Sequence, residues 1–312
     1  MPAPDVTVAI LTQRRPGPLA LAAGSILKQS GLGDLAVEFI VVDNDQAPSA
    51  QALVESLAQN APFPTRYVHE PRPGVATARN AAVKAAAAPL IAFLDDDEEA
   101  PPGWLAALVA AHKSYGADVV FGPVRGRAPE RVGWRRPYLE WFFSRVDPAA
   151  AGVIDHFYGC GCSLIARAAL PHPEHPFEER ANETGGEDDV LFRAMQVAGA
   201  TFAWAPDAWV WEDPAPDRVS LAYALRRAFV YGQGPPHHCW NAGDRAGAVG
   251  WMFVGAAQTG IFGSVAAAKW LLRRPDRAFA VDRALRGLGK VLWWGPFKLK
   301  LYGRTAATPP GS

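Results

Sequence analysis

Four short strand-like runs, three of them apolar, recur in the first hundred residues at roughly 30-residue spacing, the length of a strand–helix–strand unit. They are Val6–Leu11, Val37–Val42, Thr65–Val68 and Leu90–Leu94. Helical patterns lie between them over 18–30, 48–59 and 75–87; the last is Ala-rich, opens after Gly74 and is ended by Pro89. This alternation predicts an α/β fold, a mostly parallel sheet with helices on both faces. In such sheets ligands bind outside the carboxyl ends of the strands. Three of the runs end in polar clusters: Thr12 with Arg14, Asp43 with Asn44, and the run Asp95-Asp96-Asp97. Acids after strands also serve as helix caps and solvated turns. Three clusters at successive strand ends point instead to one crevice with a shared task.

The second half is less regular. Trp104–Tyr115 reads as a helix, Val119–Phe121 as a strand, and Tyr158–Ile165, with Gly159, Gly161 and two cysteines, as a tight strand. Glu187-Asp188-Asp189 opens an amphipathic helix over 188–198, and Phe202–Ala205 and Trp209–Trp211 read as short strands.

Three adjacent aspartates at one strand end raise one another's pKa unless a cation or a donor neutralises them. A hard divalent ion, Mg²⁺ or Mn²⁺, is the usual partner, held by one or two carboxylates together with substrate phosphates. That geometry suits a nucleoside diphosphate, whose departing charge the ion stabilises. Arg79, on a helix facing the same crevice, is placed to pair with a phosphate or to orient an aspartate. The chemistry also needs a proton acceptor. The step Gly185-Gly186-Glu187-Asp188 sets a carboxylate on a flexible approach at a helix start, a fitting place for a general base.

The motifs together resemble the family-two glycosyltransferases with the GT-A fold. Five stretches carry the likeness: the first strand with Thr12-Gln13-Arg14; Val41-Val42-Asp43-Asn44; Gly74-Val75-Ala76-Thr77-Ala78-Arg79-Asn80; Phe93-Leu94-Asp95-Asp96-Asp97 followed by Pro102; and Gly186-Glu187-Asp188-Asp189-Val190-Leu191-Phe192-Arg193. A lone DxD occurs often by chance, whereas all five in this order and spacing, across about residues 5–235, are specific. The resemblance implies a Rossmann-like sheet and an inverting, nucleotide-sugar-dependent transfer. It implies that Thr12, Arg14, Asp43 and Asn44 hold the nucleoside and that Arg79 and Asn80 support the donor. Asp95 and Asp97 would form the DxD pair on either side of Asp96, with Asp97 the direct metal ligand. Asp188 would be the base, and Glu187 would contact the acceptor. Where many relatives carry a His after the Trp209-Val210-Trp211 strand, this chain has Glu212, a carboxylate able to reach the metal. Arg227, in a basic helix that follows the catalytic domain, reads as a diphosphate contact.

Charge refines the picture. Equal numbers of basic and acidic residues, 31 each, exclude a strongly basic nucleic-acid binder. The neutral sum hides an asymmetry: residues 1–244 hold 20 Lys and Arg against 29 acids, and residues 245–304 hold 11 against two. Residues 246–268 carry no charge, and the flanking segments, including Arg283–Tyr302, interleave Lys and Arg with Trp. That pattern suits attachment to an anionic membrane surface, peripheral rather than spanning. Three cysteines and an N-terminus without a basic n-region give a cytoplasmic expectation.

The expected organisation is a catalytic domain over 1–235, a basic aromatic helical extension over 236–302 and a disordered end over 303–312. The Arg-, Pro- and aromatic-rich stretch 123–156 is expected to be mobile or acceptor-facing. Trp104 is a candidate for stacking on a sugar or for the core. Cys160-Gly161-Cys162 lacks the four ligands of a zinc site and reads as small residues lining the sheet. The expected partners are a nucleoside diphosphate sugar and a glycan or lipid-linked acceptor, in polysaccharide, glycolipid or cell-envelope synthesis. A sugar nucleotidyltransferase would need a Gly-rich loop after the first strand, where this chain has Thr12-Gln13-Arg14-Arg15-Pro16-Gly17. A non-catalytic membrane scaffold would not need the full set of aspartates.

Overall fold

The computed structural model describes residues 3–147, 150–183 and 185–297; Lys298, Lys300 and the expected polar end over 303–312 lie outside them. The chain divides into two compact units, Met1–Arg125 with Ser144–Asp213, and Gly126–Phe143 with Pro214–Ser312.

In the first unit the predicted alternation is observed: β1 (Val6–Thr12), α1 (Pro16–Ile26), β2 (Val37–Asp43), α2 (Gln51–Ala58), β3 (Thr65–His69), α3 (Val75–Ala85) and β4 (Leu90–Asp95). Then come β5 (Glu98–Glu99), α4 (Trp104–Tyr115), β6 (Val119–Phe121) and β7 (Val124–Gly126). α1 begins earlier than the pattern alone suggests because Pro16, lacking an N–H, suits the first helical turn.

The main sheet runs β3-β2-β1-β4-β9-β6-β10-β8, where β8 is Gly152–Ile154, β9 Ser163–Ala166 and β10 Phe202–Trp204. β3, β2, β1 and β4 are mutually parallel, as are β6 and β10; β9 lies antiparallel between β4 and β6. A small second sheet joins β5, β11 (Val210–Glu212) and β7.

Side chains alternate along β1 and so feed two cores. Val6, Val8 and Ile10 pack with Leu19 and Ile26 of α1 and Leu105 and Leu108 of α4. On the other face Ala9 packs with Ala78 and Ala82 of α3 and with Leu191 and Phe192 of α6 (Glu187–Val197). Both faces are covered, which is why these strands read as continuous apolar runs. Trp104 is fully buried in the first core, its indole N–H donating to Cys162 Sγ at 3.3 Å, so it is a core residue. The expected strand over Tyr158–Ile165 is shorter. Residues 160–162 form a tight 3₁₀ turn, with Ser163 Oγ donating to the Cys160 carbonyl, and only then does β9 begin.

The second unit contains α5 (Arg136–Phe143), α7 (Leu221–Asn241), α8 (Arg245–Leu271) and α9 (Arg277–Val291). Part of the 123–156 stretch thus supplies a helix to this unit: Tyr138 is buried and donates to Asp282 of α9, and its ring meets Phe279 edge-on. The sequence boundary at 235 falls inside α7. Gly232, just before that boundary, lies directly against the Arg286 carbonyl of α9.

Candidate active site

Strand register brings the predicted polar clusters together. Thr12 lies beside Asp43 across β1 and β2, and Leu11 beside Asp95 across β1 and β4, so the three polar clusters meet at one end of the sheet. Around the ends of β1 and β4 stand seven carboxylates, Asp95, Asp96, Asp97, Glu98, Glu187, Asp188 and Glu212, against the guanidiniums of Arg15, Arg79 and Arg145. Carboxyl groups thus outnumber guanidiniums where the fold holds them close.

Arg79 is the central cation. It is buried within α3, ion-paired to Glu187, 3.8 Å from Asp95 and 3.9 Å from Asp188, and its Nε has no hydrogen-bond partner among the described residues. One guanidinium therefore links the aspartate run to the carboxylates that open α6. Gly186, at φ 83°, turns the chain into α6 so that Glu187 and Asp188 fall in its first turn. Glu187, expected to contact the acceptor, instead has its carboxylate buried against Arg79, and burial raises its pKa. Asp188 is more open. It accepts from the Cys160 and Asp189 backbone N–H groups at 3.3 and 2.9 Å.

The three aspartates are treated differently. Asp96 is buried, accepts from Thr12 Oγ1 at 2.8 Å and pairs with Arg15, and burial pushes its carboxyl up to about 7. Asp97 lies 3.0 Å from the same arginine. The Asp95 side chain is 39% exposed, the most open of the three. Backing it, Gly161 approaches so closely that a Cβ there would stand 2.6 Å from Asp95 Oδ2. Behind this pair Arg145 bridges the fully buried Glu98 at 3.2 Å and Glu212 at 3.0 Å; burial pushes Glu212 up to about 7, and Glu98 well above its ordinary value.

The predicted nucleoside side of the crevice is more rigid than the sequence implies. Asp43 is fully buried and accepts from Ser49 Oγ, the Ala50 N–H and the Tyr67 hydroxyl. Asn44 donates to the Glu70 and Arg72 carbonyls and accepts from the Gly74 N–H. Both side chains are consumed in locking the loops that form the wall. Asn80 is likewise occupied with the Phe177 backbone. Arg14, in left-handed backbone at φ 55°, forks onto Asp45 at 2.7 and 2.8 Å and is itself exposed. Arg227 belongs to the second unit, over the rings of Tyr223 and Tyr231. Arg15, Glu98 and Arg145 also take part, each outside the residues expected to act from the sequence.

Among the described residues no three His, Cys, Asp or Glu side chains form a ready-made metal cage. A hard divalent ion that arrives with a diphosphate needs only one or two carboxylates. The partly exposed Asp95 and its neighbour Asp97 supply hard oxygens in a region where carboxyl groups outnumber guanidiniums, so the donor set fits Mg²⁺ or Mn²⁺.

Comparison with known proteins agrees with this architecture. The family model described as Glycosyl transferase family 2 matches residues 7–172. The succinoglycan biosynthesis protein ExoM of Rhizobium meliloti is 36% identical over 229 residues, 73% of each chain. Among solved structures, the mannosyltransferase PcManGT from Pyrobaculum calidifontis, in complex with GDP-Man and Mn²⁺, aligns with a TM-score of 0.58 at 20% identity, covering 94% of this chain and 88% of that one. Residues 1–349 of S. aureus TarS, in complex with UDP, align with a TM-score of 0.54 at 14% identity, covering 92% and 90%. The chain spans 40% of the longer TarS structure. At these identities the structural likenesses speak for the fold alone.

Proposed function

The chain belongs to glycosyl transferase family 2 and has the GT-A fold, and from that premise we propose that it is an inverting enzyme moving a sugar from a nucleoside diphosphate to a glycan or lipid-linked acceptor. The observation that carries the reading is the shared guanidinium of Arg79, 3.8 Å from Asp95 and 3.9 Å from Asp188. It brings the carboxylates suited to a diphosphate and the carboxylate suited to a proton into one constellation.

In this reading Thr12, Arg14 and the loops locked by Asp43 and Asn44 shape the nucleoside end. Asp97 and Asp95 would hold Mg²⁺ or Mn²⁺, with Glu212 behind them; the ion supplies charge stabilisation for the departing diphosphate. Asp188 takes the proton from the acceptor hydroxyl. The freed oxygen attacks the anomeric carbon, and the bond to the diphosphate breaks on the opposite side, its electron pair leaving with the nucleotide. Arg79 holds the Glu187 carboxylate buried beside Asp188 and so fixes the opening of α6 against the aspartate run. The name of the ExoM relative supports polysaccharide synthesis as the setting. The basic, aromatic segment over 245–304 supports work at the cytoplasmic face of the membrane.

A panel of nucleotide sugars, scored for nucleoside diphosphate release with Mn²⁺, tests the reading. One donor should be hydrolysed or transferred with nucleoside diphosphate as product, and Asp97→Ala should abolish the release. Pyrophosphate as the product would overturn it.

A further inference from the structure

The second unit inverts the usual pattern of an amphipathic bundle. α8 and α9 meet through small residues. A Cβ on Gly255 would stand 2.6 Å from the Gly287 carbonyl oxygen, and one on Gly287 would stand 2.8 Å from that of Gly255. α7 closes on α9 in the same manner, Gly289 lying against the Phe229 carbonyl. The large apolar side chains of α8 take little part in this packing. Val249, Phe253, Val254, Ile261, Val265 and Leu271 are all exposed, Phe253 by 74% and Ile261 by 62%. At 100° per residue they fall on one side of the helix, opposite the buried Ala248, Gly255 and Ala266. No charge interrupts residues 246–268, so the strip runs 23 residues, about 34 Å. A continuous apolar face of that length is not left to water without a partner.

The charges around the strip identify the partner. Lys269, Arg273 and Arg274 close its C-terminal end. From α9, Arg283 lies over the Phe262 ring and Lys290 over that of Trp251. We propose that this face of α8 inserts in the plane of an anionic bilayer, Phe253 and Ile261 in the acyl region and the α9 cations among the headgroup phosphates. The proposal rests on the membrane-face reading above and goes beyond it by naming the face and its orientation. α8 is long and apolar enough to cross a membrane, but its midpoint is tied to α9. Gln258 Nε2 donates to the Arg283 carbonyl and Gln258 Oε1 accepts from Lys290 Nζ, both at 2.7 Å. A crossing would carry Asp282, Arg283, Arg286 and Lys290 into hydrocarbon, where ionised side chains are expensive. An in-plane helix leaves them wet.

The test uses flotation of the full chain with phosphatidylcholine vesicles containing about one-third phosphatidylglycerol. Wild type should float, and Phe253→Glu/Ile261→Glu should reduce the bound fraction by about tenfold with an unchanged melting temperature, since both side chains stand outside the core. Alkaline carbonate should release the wild type. A wild type that does not float overturns the membrane reading itself. A double variant that floats like wild type overturns only the assigned face, and resistance to carbonate overturns the in-plane orientation. A wild-type dimer that ignores vesicles and that the double variant splits would assign the face to a second copy of the chain and overturn the proposal.

Discussion

Replacing Gly161 by alanine adds one methyl group at the most constrained point of the site. The new Cβ would stand 2.6 Å from Asp95 Oδ2, 2.9 Å from Asp95 Cγ and 2.9 Å from Glu98 Oε1, where 3.4 Å is an ordinary contact. The Asp95 carboxylate must therefore retreat by about 0.8 Å. Glu98 cannot share the movement freely, because it is fully buried, tied to Arg145 and accepting from the Asp95 N–H at 3.1 Å. Overpacking of this kind costs about 1–3 kcal/mol. The lower end applies, because the atom displaced is the tip of a partly exposed side chain. Catalysis is more sensitive, since misplacing a reacting group by about 1 Å costs on the order of 100-fold. Gly161→Ala should thus melt within a few degrees of wild type and turn over about 10- to 100-fold more slowly, with a weaker dependence on Mn²⁺. Initial rates of nucleoside diphosphate release across a Mn²⁺ titration, alongside thermal unfolding, measure both. Turnover within twofold of wild type at unchanged Mn²⁺ dependence would refute the assignment of Asp95 to the metal-bearing pair.

Other perturbations separate the remaining groups. Arg145→Met leaves Glu98 buried without its cation and should cost about 3 kcal/mol in urea unfolding, at the low end for a broken buried pair because Arg145 is itself partly solvated; Glu98→Gln in the same chain should restore most of that loss, and absence of rescue would count against the pairing. Arg79→Lys keeps the charge but loses the fork that spans Glu187 and the aspartates, so turnover should fall at least tenfold, about 1.4 kcal/mol of barrier, while nucleotide-induced thermal shifts persist. Asp96 and Glu212 are pushed up to about 7 by burial. Carboxyls raised in this way stabilise the fold fully below their unfolded values of about 4 and lose that contribution as pH rises through about 7. The melting temperature in EDTA should therefore fall between those pH values, and Mn²⁺ with a nucleoside diphosphate should flatten the decline; a rise over the same window would contradict it.

The sheet and the position of the crevice were legible because they follow from periodicity. Doubly covered parallel strands read as unbroken apolar runs, and their register then brings Thr12, Asp43 and Asp95 to one end. The opening of α6 was legible for a similar reason, glycines followed by acids and then an amphipathic repeat. Side-chain direction was not. Asp43 and Asn44 look like ligand contacts by position, yet their atoms are spent on Ser49, Tyr67, Glu70 and Gly74. Glu187 and Asp188 are adjacent in sequence, and only the turn of α6 decides which is buried on Arg79. Arg145 carries no local signal, because it lies 47 residues from Glu98 in a stretch without period. Arg15 sits in the loop after β1, 81 and 82 residues from the Asp96 and Asp97 carboxylates that its fork grips. Such long-range pairs leave no local signal.

The central claim is that Asp188 takes the acceptor proton in a transfer that releases nucleoside diphosphate. Asp188→Asn keeps the size of the side chain and its acceptor oxygen toward the Cys160 N–H while removing the base. Single-turnover rates with the cognate donor and acceptor should fall about 10²- to 10⁴-fold, with donor binding in the presence of Mn²⁺ unchanged by calorimetry. Transfer at near wild-type rate by Asp188→Asn would contradict the account.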